Sequence, residues 1–166
     1  MATARQLWLL RHADAEPHGT RPDTERRLTE RGERQAEAAG IALARMGVGF
    51  NATLSSPKAR ARETAELALA QLSDGQSLGL ELHEPLAGGY DAHQALDALA
   101  GAGGDGPILL VGHEPDLSGV LGDLTGARVD LKKGGLAVVR LAGAGGELVL
   151  LLRPAELALI AGVTLL

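Results

Sequence analysis

The sequence predicts an α/β protein, a three-layer αβα sandwich around a mostly parallel central sheet with an antiparallel edge strand. Three observations carry that expectation. Short apolar runs alternate with helical stretches from residue 6 to residue 124, the pattern of a parallel sheet built from crossover units. The most apolar of these runs show no polar alternation, as expected of strands covered on both faces. Two further runs, Leu136 to Leu141 and Glu147 to Leu152, flank Ala142-Gly143-Ala144-Gly145-Gly146 and predict a hairpin at the far side of the sheet. The 166 residues suffice for one core, since a chain of this size buries about 70% of its unfolded surface. A single domain over residues 1–166 is expected, without internal repeats.

The elements follow in order. Gln6 to Leu10 is a short apolar run that ends in charged and turn-forming residues, hence a buried strand closed by Arg11-His12. Residues 13 to 28 are rich in Asp, Glu, Arg, Pro and Gly and predict a mobile surface loop. Thr29 is placed to cap a helix to about Met46, with Ala36, Ala39, Leu43 and Met46 on one face and Glu30, Arg31, Glu33, Arg34 and Glu37 on the other. Gly47 and Gly49 end it. Ala52 to Ser55 is a second strand. Ser56-Pro57 then predicts an N-cap followed by proline at the first helical position, opening a helix to about Leu72 with Arg60 in its first turn. Leu78 to Leu82 is a weaker strand, residues 91 to 100 a short helix, and Ile108 to Val111 a central strand. Gly112-His113-Glu114-Pro115 turns that strand into a helix to Leu124, and Pro154 begins a last helix.

Composition excludes several chemistries. Cysteine is absent, which removes disulfides, thiolate zinc sites and every cysteine nucleophile. Net charge is -5, whereas a nucleic-acid binder carries a basic excess, so no nucleic-acid partner is expected. Arg140, Glu147, Arg153 and Glu156 interrupt the C-terminal third, so no membrane span is expected. The apolar run Leu7 to Leu10 is too short for the core of a signal peptide, which leads to a cytoplasmic expectation. The charge is also unevenly spread: residues 1–62 hold 11 of the 16 Lys and Arg and 7 of the 21 Asp and Glu, and no Lys or Arg lies between Arg62 and Arg128. A pocket for an anion must draw its arginines mainly from the N-terminal third.

The predicted strand ends supply such a set. In an open α/β sheet ligands bind beyond the carboxyl ends of the strands. Arg11-His12 follows the first strand, Arg60 enters the helix after the second, and His113 follows the fourth. Two guanidiniums offer rigid forks of donors matched to phosphate, and a helix N-terminus adds backbone donors. A neutral imidazole nitrogen is a competent nucleophile toward phosphorus. Together these residues point to phosphoryl transfer through a covalent phosphohistidine. Alone, each has a plainer explanation: a solvated cap, a helix-surface charge, a loop histidine satisfied by one hydrogen bond. A metal site built on His12, Asp14, His113 and Asp116 has the right ligand types, but Arg11 and Arg60 beside a divalent cation oppose it, so no metal or other cofactor is expected.

Leu-Leu-Arg11-His12-Ala13, Ser55-Ser56-Pro57-Lys58-Ala59-Arg60-Ala61-Arg62-Glu63-Thr64-Ala65 and Val111-Gly112-His113-Glu114-Pro115 together resemble the histidine phosphatase superfamily, whose fold is that of phosphoglycerate mutase. Ala13 departs from the glycine more usual there. The Arg-His-Ala-Asp-Ala opening, Arg27-Leu28-Thr29-Glu30-Arg31-Gly32 and Lys133-Gly134-Gly135-Leu136-Ala137 look most like the SixA-type phosphohistidine phosphatases. The resemblance implies that His12 is the nucleophile and that Arg11, Arg60 and His113 hold the phosphoryl oxygens. It places Glu84 where many members keep a proton donor, although an exposed loop carboxylate explains Glu84 equally well. His12 is expected to donate one ring N–H to a backbone carbonyl, and His113 to be protonated when phosphate is bound.

Arg26 is a candidate for the substrate rim, or else a solvated charge. Lys132-Lys133 marks either a rim for a phosphoprotein or a charged turn. His18, His83 and His93 match no motif and are expected at the surface. The implied substrate is a phosphohistidine-bearing protein. A small phosphorylated metabolite, a mutase that returns the phosphoryl group to its product, and a phosphate-binding module without turnover are the alternatives.

Overall fold

A computed structural model describes residues 5–77, 79–143 and 145–165 of the chain. The elements are β1 (Gln6–Arg11), α1 (Glu30–Met46), β2 (Ala52–Ser55), α2 (Ala59–Leu69), β3 (Leu80–Leu82), α3 (Ala92–Gly101), β4 (Ile108–Gly112), α4 (Asp116–Thr125), β5 (Leu136–Ala142), β6 (Gly145–Leu152) and α5 (Pro154–Ala161). The strands form one sheet in the order β3-β2-β4-β1-β5-β6. β3, β2, β4 and β1 run parallel, whereas β5 is antiparallel to β1 and β6 to β5. This is the α/β sandwich that the alternating pattern predicts. Of the expected strand from Leu78, residues Leu80–Leu82 pair with β2, and Leu78 itself lies outside the described residues.

The uninterrupted apolar runs are the strands at the centre, because each must offer side chains to both faces. Every residue of β4 is buried. On one face Leu7, Leu9, Ile108 and Leu110 pack with Leu99, Leu117 and Leu121 of α3 and α4. On the other, Trp8, Leu10, Leu109 and Val111 pack with Leu43, Ala61, Ala65 and Leu157 of α1, α2 and α5. Each leucine so enclosed stabilises the fold by about 2 kcal/mol. The two clusters on opposite sides of one sheet make the three layers.

α1 begins where the sequence indicates. The Thr29 hydroxyl accepts from the Gly32 N–H at 3.0 Å and donates to the Asp14 carboxylate at 2.8 Å. Gly32 packs directly on the Asp14 carbonyl, where a Cβ would overlap the oxygen. Gly47, with φ of 72°, closes the helix in the left-handed region.

α2 departs from expectation at both ends. It starts at Ala59 with Lys58 as N-cap and ends at Leu69. Ser56 and Pro57 form the turn before it, and the Ser56 hydroxyl accepts from the Lys58 N–H at 3.2 Å. The expected mobile loop is also more ordered than its composition suggests. Ala15 bridges Leu28, the Glu16 N–H donates to the Arg27 carbonyl at 2.9 Å, and Asp23–Glu25 forms a 3-10 turn. Among the described residues no helix is long and apolar enough to cross a membrane.

Candidate active site

Strand register brings the residues at the carboxyl edge together. β4 inserts between β1 and β2, with Arg11 opposite Gly112 and Ser55 opposite Val111. The next residues along the three strands are therefore neighbours. The His12 N–H donates to the Gly112 carbonyl and the Ser56 N–H to the Val111 carbonyl, both at 3.0 Å. The rings of His12 and His113 lie with centroids 5.2 Å apart. Arg11, His12, Arg60 and His113, separated by as many as 102 positions along the chain, line one cavity of about 230 Å³ that opens to solvent. The order of the strands makes this a switch point of the sheet, where α/β folds bind ligands.

Each side chain has a defined anchor. Nδ1 of His12 lies 2.7 Å from the Ala13 carbonyl, so the ring donates there and keeps Nε2 for a ligand. Nε2 of His113 lies 2.8 Å from the Ser56 hydroxyl. Arg11 donates to the Leu131 carbonyl at 2.9 Å. Arg60 donates to the Asp23 carbonyl at 2.8 Å and to its carboxylate at 3.4 Å. Beyond these anchors, Nε of Arg11, Nε of Arg60 and Nδ1 of His113 are buried without a protein partner. A tetrahedral oxyanion supplies the acceptors that such groups lack.

The charge pattern explains how the histidines are poised. Burial lowers the pKa of His12 to about 4, with Arg60, Arg11 and Lys133 adding to the shift and the Ala13 carbonyl opposing it. Burial lowers His113 to about 3, reinforced by His12, Arg60 and Lys58. Both rings are thus neutral at pH 7. For His12 this is the form a nucleophile requires. For His113 burial is the main cause, and the charges of Arg60 and Lys58 outweigh the opposing carboxylate of Asp23.

Asp23 is a residue that the sequence did not single out. Its carboxylate accepts from Arg26 at 3.1 Å and pairs with Lys58 at 3.1 Å as well as with Arg60. The Lys58 hydrogen bond, followed by the charges of Arg60 and Arg26, holds it well below the usual carboxylate range. One anion thereby gathers three cations, two of which, Arg26 and Arg60, line the cavity.

Arg26, expected at the rim or in solvent, is buried and lines the cavity, with a second bond of 2.6 Å to the Glu16 carbonyl. Glu84 stands exposed at the start of the 3-10 turn after β3, outside the cavity lining. The carboxylates that do line the cavity are Glu16 and Glu114. Glu16 accepts from Arg21 and from the Arg27 N–H, and Glu114 from the Ser118 N–H and hydroxyl.

Lys133 also lines the cavity, as does the exposed His18, so the expected surface position of His18 is at the pocket mouth. His83 packs edge-on against Tyr90, and His93 is exposed beside Asp97. Among the described residues no group of three or more His, Asp or Glu is placed to hold a metal ion.

Three kinds of similarity bear on this site. The sequence matches the model of the "Histidine phosphatase superfamily (branch 1)" over residues 7–93. An uncharacterised protein of Picosynechococcus sp. is 31% identical over 147 residues, which cover 81% of this chain and 84% of that protein. The protein histidine phosphatase SixA, solved with tungstate, superposes with a TM-score of 0.79 at 23% identity, covering 92% of this chain and 99% of its own. A Nakamurella multipartitia protein assigned as the phosphohistidine phosphatase SixA superposes with a TM-score of 0.75 at 29% identity, over 92% of this chain and 98% of its own. The strand-end motifs, the phosphoglycerate mutase-like sheet and the two paired histidines agree with these matches, and the chain belongs to the histidine phosphatase superfamily.

Proposed function

We propose that the protein is a phosphohydrolase that acts through a covalent phosphohistidine on His12, and that its substrate is a protein phosphohistidine. The observation that carries this reading is the one cavity lined by Arg11, Arg60 and His113, each with a buried nitrogen that lacks a protein partner, together with a neutral His12 whose Nδ1 is tied to Ala13.

Nε2 of His12 attacks phosphorus and forms an N–P bond while the bond to the leaving atom breaks and that atom takes the electron pair. Arg11, Arg60 and His113 hold the equatorial oxygens, whose charge they stabilise most in the transition state. Water then attacks the phosphoimidazole, releases inorganic phosphate and restores Nε2. The Ala13 carbonyl steadies the positive charge that the His12 ring carries in the intermediate.

The leaving group decides the substrate class. An alkoxide needs a proton from the enzyme, yet Glu16 and Glu114 are engaged by Arg21, Arg27 and Ser118. A leaving imidazole can depart with its own proton, which relaxes the need for an acid such as Glu84. The connections are short as well, with 23 residues between Arg60 and Glu84 and 28 between Glu84 and His113, so little chain is left for a lid. An open pocket admits a side chain displayed on another protein. The tungstate held by SixA, named a protein histidine phosphatase, is an oxyanion of the same shape, and the Nakamurella multipartitia structure carries the name of a phosphohistidine phosphatase.

The test is phosphate release from a phosphohistidine-bearing carrier protein compared with sugar phosphates, acid phosphates and a phosphoserine peptide. The expected kcat/KM for the carrier exceeds the others by about ten-fold or more. A sugar or acid phosphate turned over faster than the carrier would make the protein a metabolite phosphatase. No turnover of any of them would leave a phosphate-binding module.

A further inference from the structure

We infer that Ser56 is a positioning residue whose hydroxyl donates to Nε2 of His113, holding the neutral ring in the tautomer that carries its proton on Nδ1, ready to bind a phosphoryl oxygen. The inference rests on the phosphoryl-transfer reading of the pocket for its ligand, but its tautomer follows from counting hydrogens.

Ser56 is fully buried, and among the described residues its hydroxyl oxygen has two hydrogen-bond partners. One is the Lys58 N–H, which can only donate, so the oxygen accepts there. The other is Nε2 of His113 at 2.8 Å. If Nε2 carried the proton and donated to the oxygen, the hydroxyl hydrogen of Ser56 would have no acceptor, because Ser56 itself is enclosed by protein. If the hydroxyl donates to a bare Nε2, its donor and acceptor capacities are both used. This arrangement leaves one buried group unpaired, the Nδ1 N–H, where the other leaves two, the Ser56 hydroxyl hydrogen and a bare Nδ1, and buried polar groups favour the better-satisfied arrangement.

A neutral imidazole holds one N–H, so accepting at Nε2 places the proton on Nδ1. That nitrogen is buried and has no protein partner. Its need for an acceptor is what a phosphoryl oxygen meets. Without Ser56 the preference reverses, since a free neutral histidine favours the proton on Nε2.

The arrangement suits the neighbourhood. Arg11, Arg60, Arg26 and Lys133 already surround His12. A second imidazolium beside it would add to the positive charge, whereas a neutral N–H donor holds an oxygen without doing so. The two histidines then use mirrored solutions. Ala13 takes the N–H of His12 and leaves a bare Nε2 for attack. Ser56 gives its O–H to His113 and leaves an N–H for binding. The sequence concealed this because Ser56-Pro57 has the form of a helix N-cap, and the hydroxyl is instead committed to the turn and to His113.

Long-range proton–nitrogen correlation spectra of histidine-labelled protein at pH 7, without phosphate, test the tautomer, with His113→Asn used for assignment. The expected spectrum shows a protonated Nδ1 and a bare Nε2 for His113, and the same for His12. A protonated Nε2 on His113 overturns the inference, and this readout needs no variant at Ser56.

Ser56→Ala is expected to move the proton to Nε2 and to lower kcat/KM by about ten-fold, the effect of losing one buried hydrogen bond. Ser56→Thr, which keeps the hydroxyl, should retain the Nδ1 proton. Ser56→Ala with the Nδ1 proton still in place overturns the positioning role. Added inorganic phosphate is expected to shift the Nδ1 proton resonance. A correct tautomer with no response to phosphate overturns the phosphoryl reading, a failure distinct from a wrong tautomer in the unliganded protein.

Discussion

Two neutral histidines buried in a positive pocket make the fold sensitive to mild acid. The perturbation is a change from pH 7 to pH 5 in buffers free of phosphate. In the unfolded chain each histidine titrates near its ordinary value of 6.5, whereas in the fold His12 titrates near 4 and His113 near 3. Both values are lowered on folding, so the unfolded state binds more protons throughout this window and stability falls as pH falls. At pH 5 the two native rings are still neutral, and the loss is set by protonation of the unfolded chain. Each ring then contributes a loss of about 2 kcal/mol relative to pH 7, or about 4 kcal/mol together.

For a chain of this length that corresponds to a fall in Tm of about 10 °C. Urea unfolding at half-unit pH steps reads the same quantity as a slope. His12→Asn should halve the slope between pH 7 and 5, and adding His113→Asn should nearly abolish it, whatever either change does to stability at pH 7. A wild-type stability that does not change across this window would refute the argument that burial and neighbouring cations hold both rings neutral.

Further outcomes follow from single contacts. Arg60→Lys removes the planar fork and should lower kcat by about 100-fold or more, read in steady-state phosphate release; a change below about three-fold would show that the fork does not bear on the transition state. Asp23→Asn removes the charge shared by Arg26, Lys58 and Arg60 and should lower kcat/KM about ten-fold, with partial recovery in Asp23→Glu; unchanged kinetics would free arginine placement from this carboxylate. Gly32→Ala forces a methyl against the Asp14 carbonyl and should cost about 1–3 kcal/mol in urea unfolding, and a neutral result would contradict that close approach. Glu84→Gln should change kcat on a phosphohistidine carrier by less than about three-fold, while a loss near 100-fold would give Glu84 the proton-donor role that its position outside the cavity argues against.

The parts of the site readable in the sequence are those fixed by strand ends. An apolar run that stops at a charged residue marks the carboxyl edge of a sheet, so Arg11-His12 and Gly112-His113 announced their location, and the alternating elements implied a common edge. Their adjacency needed the strand order, in which β4 enters between β1 and β2, and no local pattern encodes that order.

Residues placed by loops were harder to read. Arg26 and Asp23 sit in a segment whose Pro, Gly and charge content suggests mobility. Arg26 is anchored by Asp23, and Asp23 in turn pairs with Lys58 and Arg60, more than 30 positions away. Glu84 occupies the right interval along the chain, but β3 is only three residues long and the turn after it leaves the carboxylate in solvent. Ser56 was visible as a polar residue before a proline, yet a cap and a histidine partner look alike until the facing strand is known.

Rapid-quench mixing with a phosphodonor carrying labelled phosphate, followed by alkaline work-up and peptide mapping, reads the proposed chemistry at its source. An acid-labile, alkali-stable phosphoryl group on His12 that forms and decays at rates matching turnover is the expected result, and it should be absent in His12→Asn. Turnover in the wild type with no phosphoryl group on His12, or undiminished turnover in His12→Asn, would contradict the covalent route.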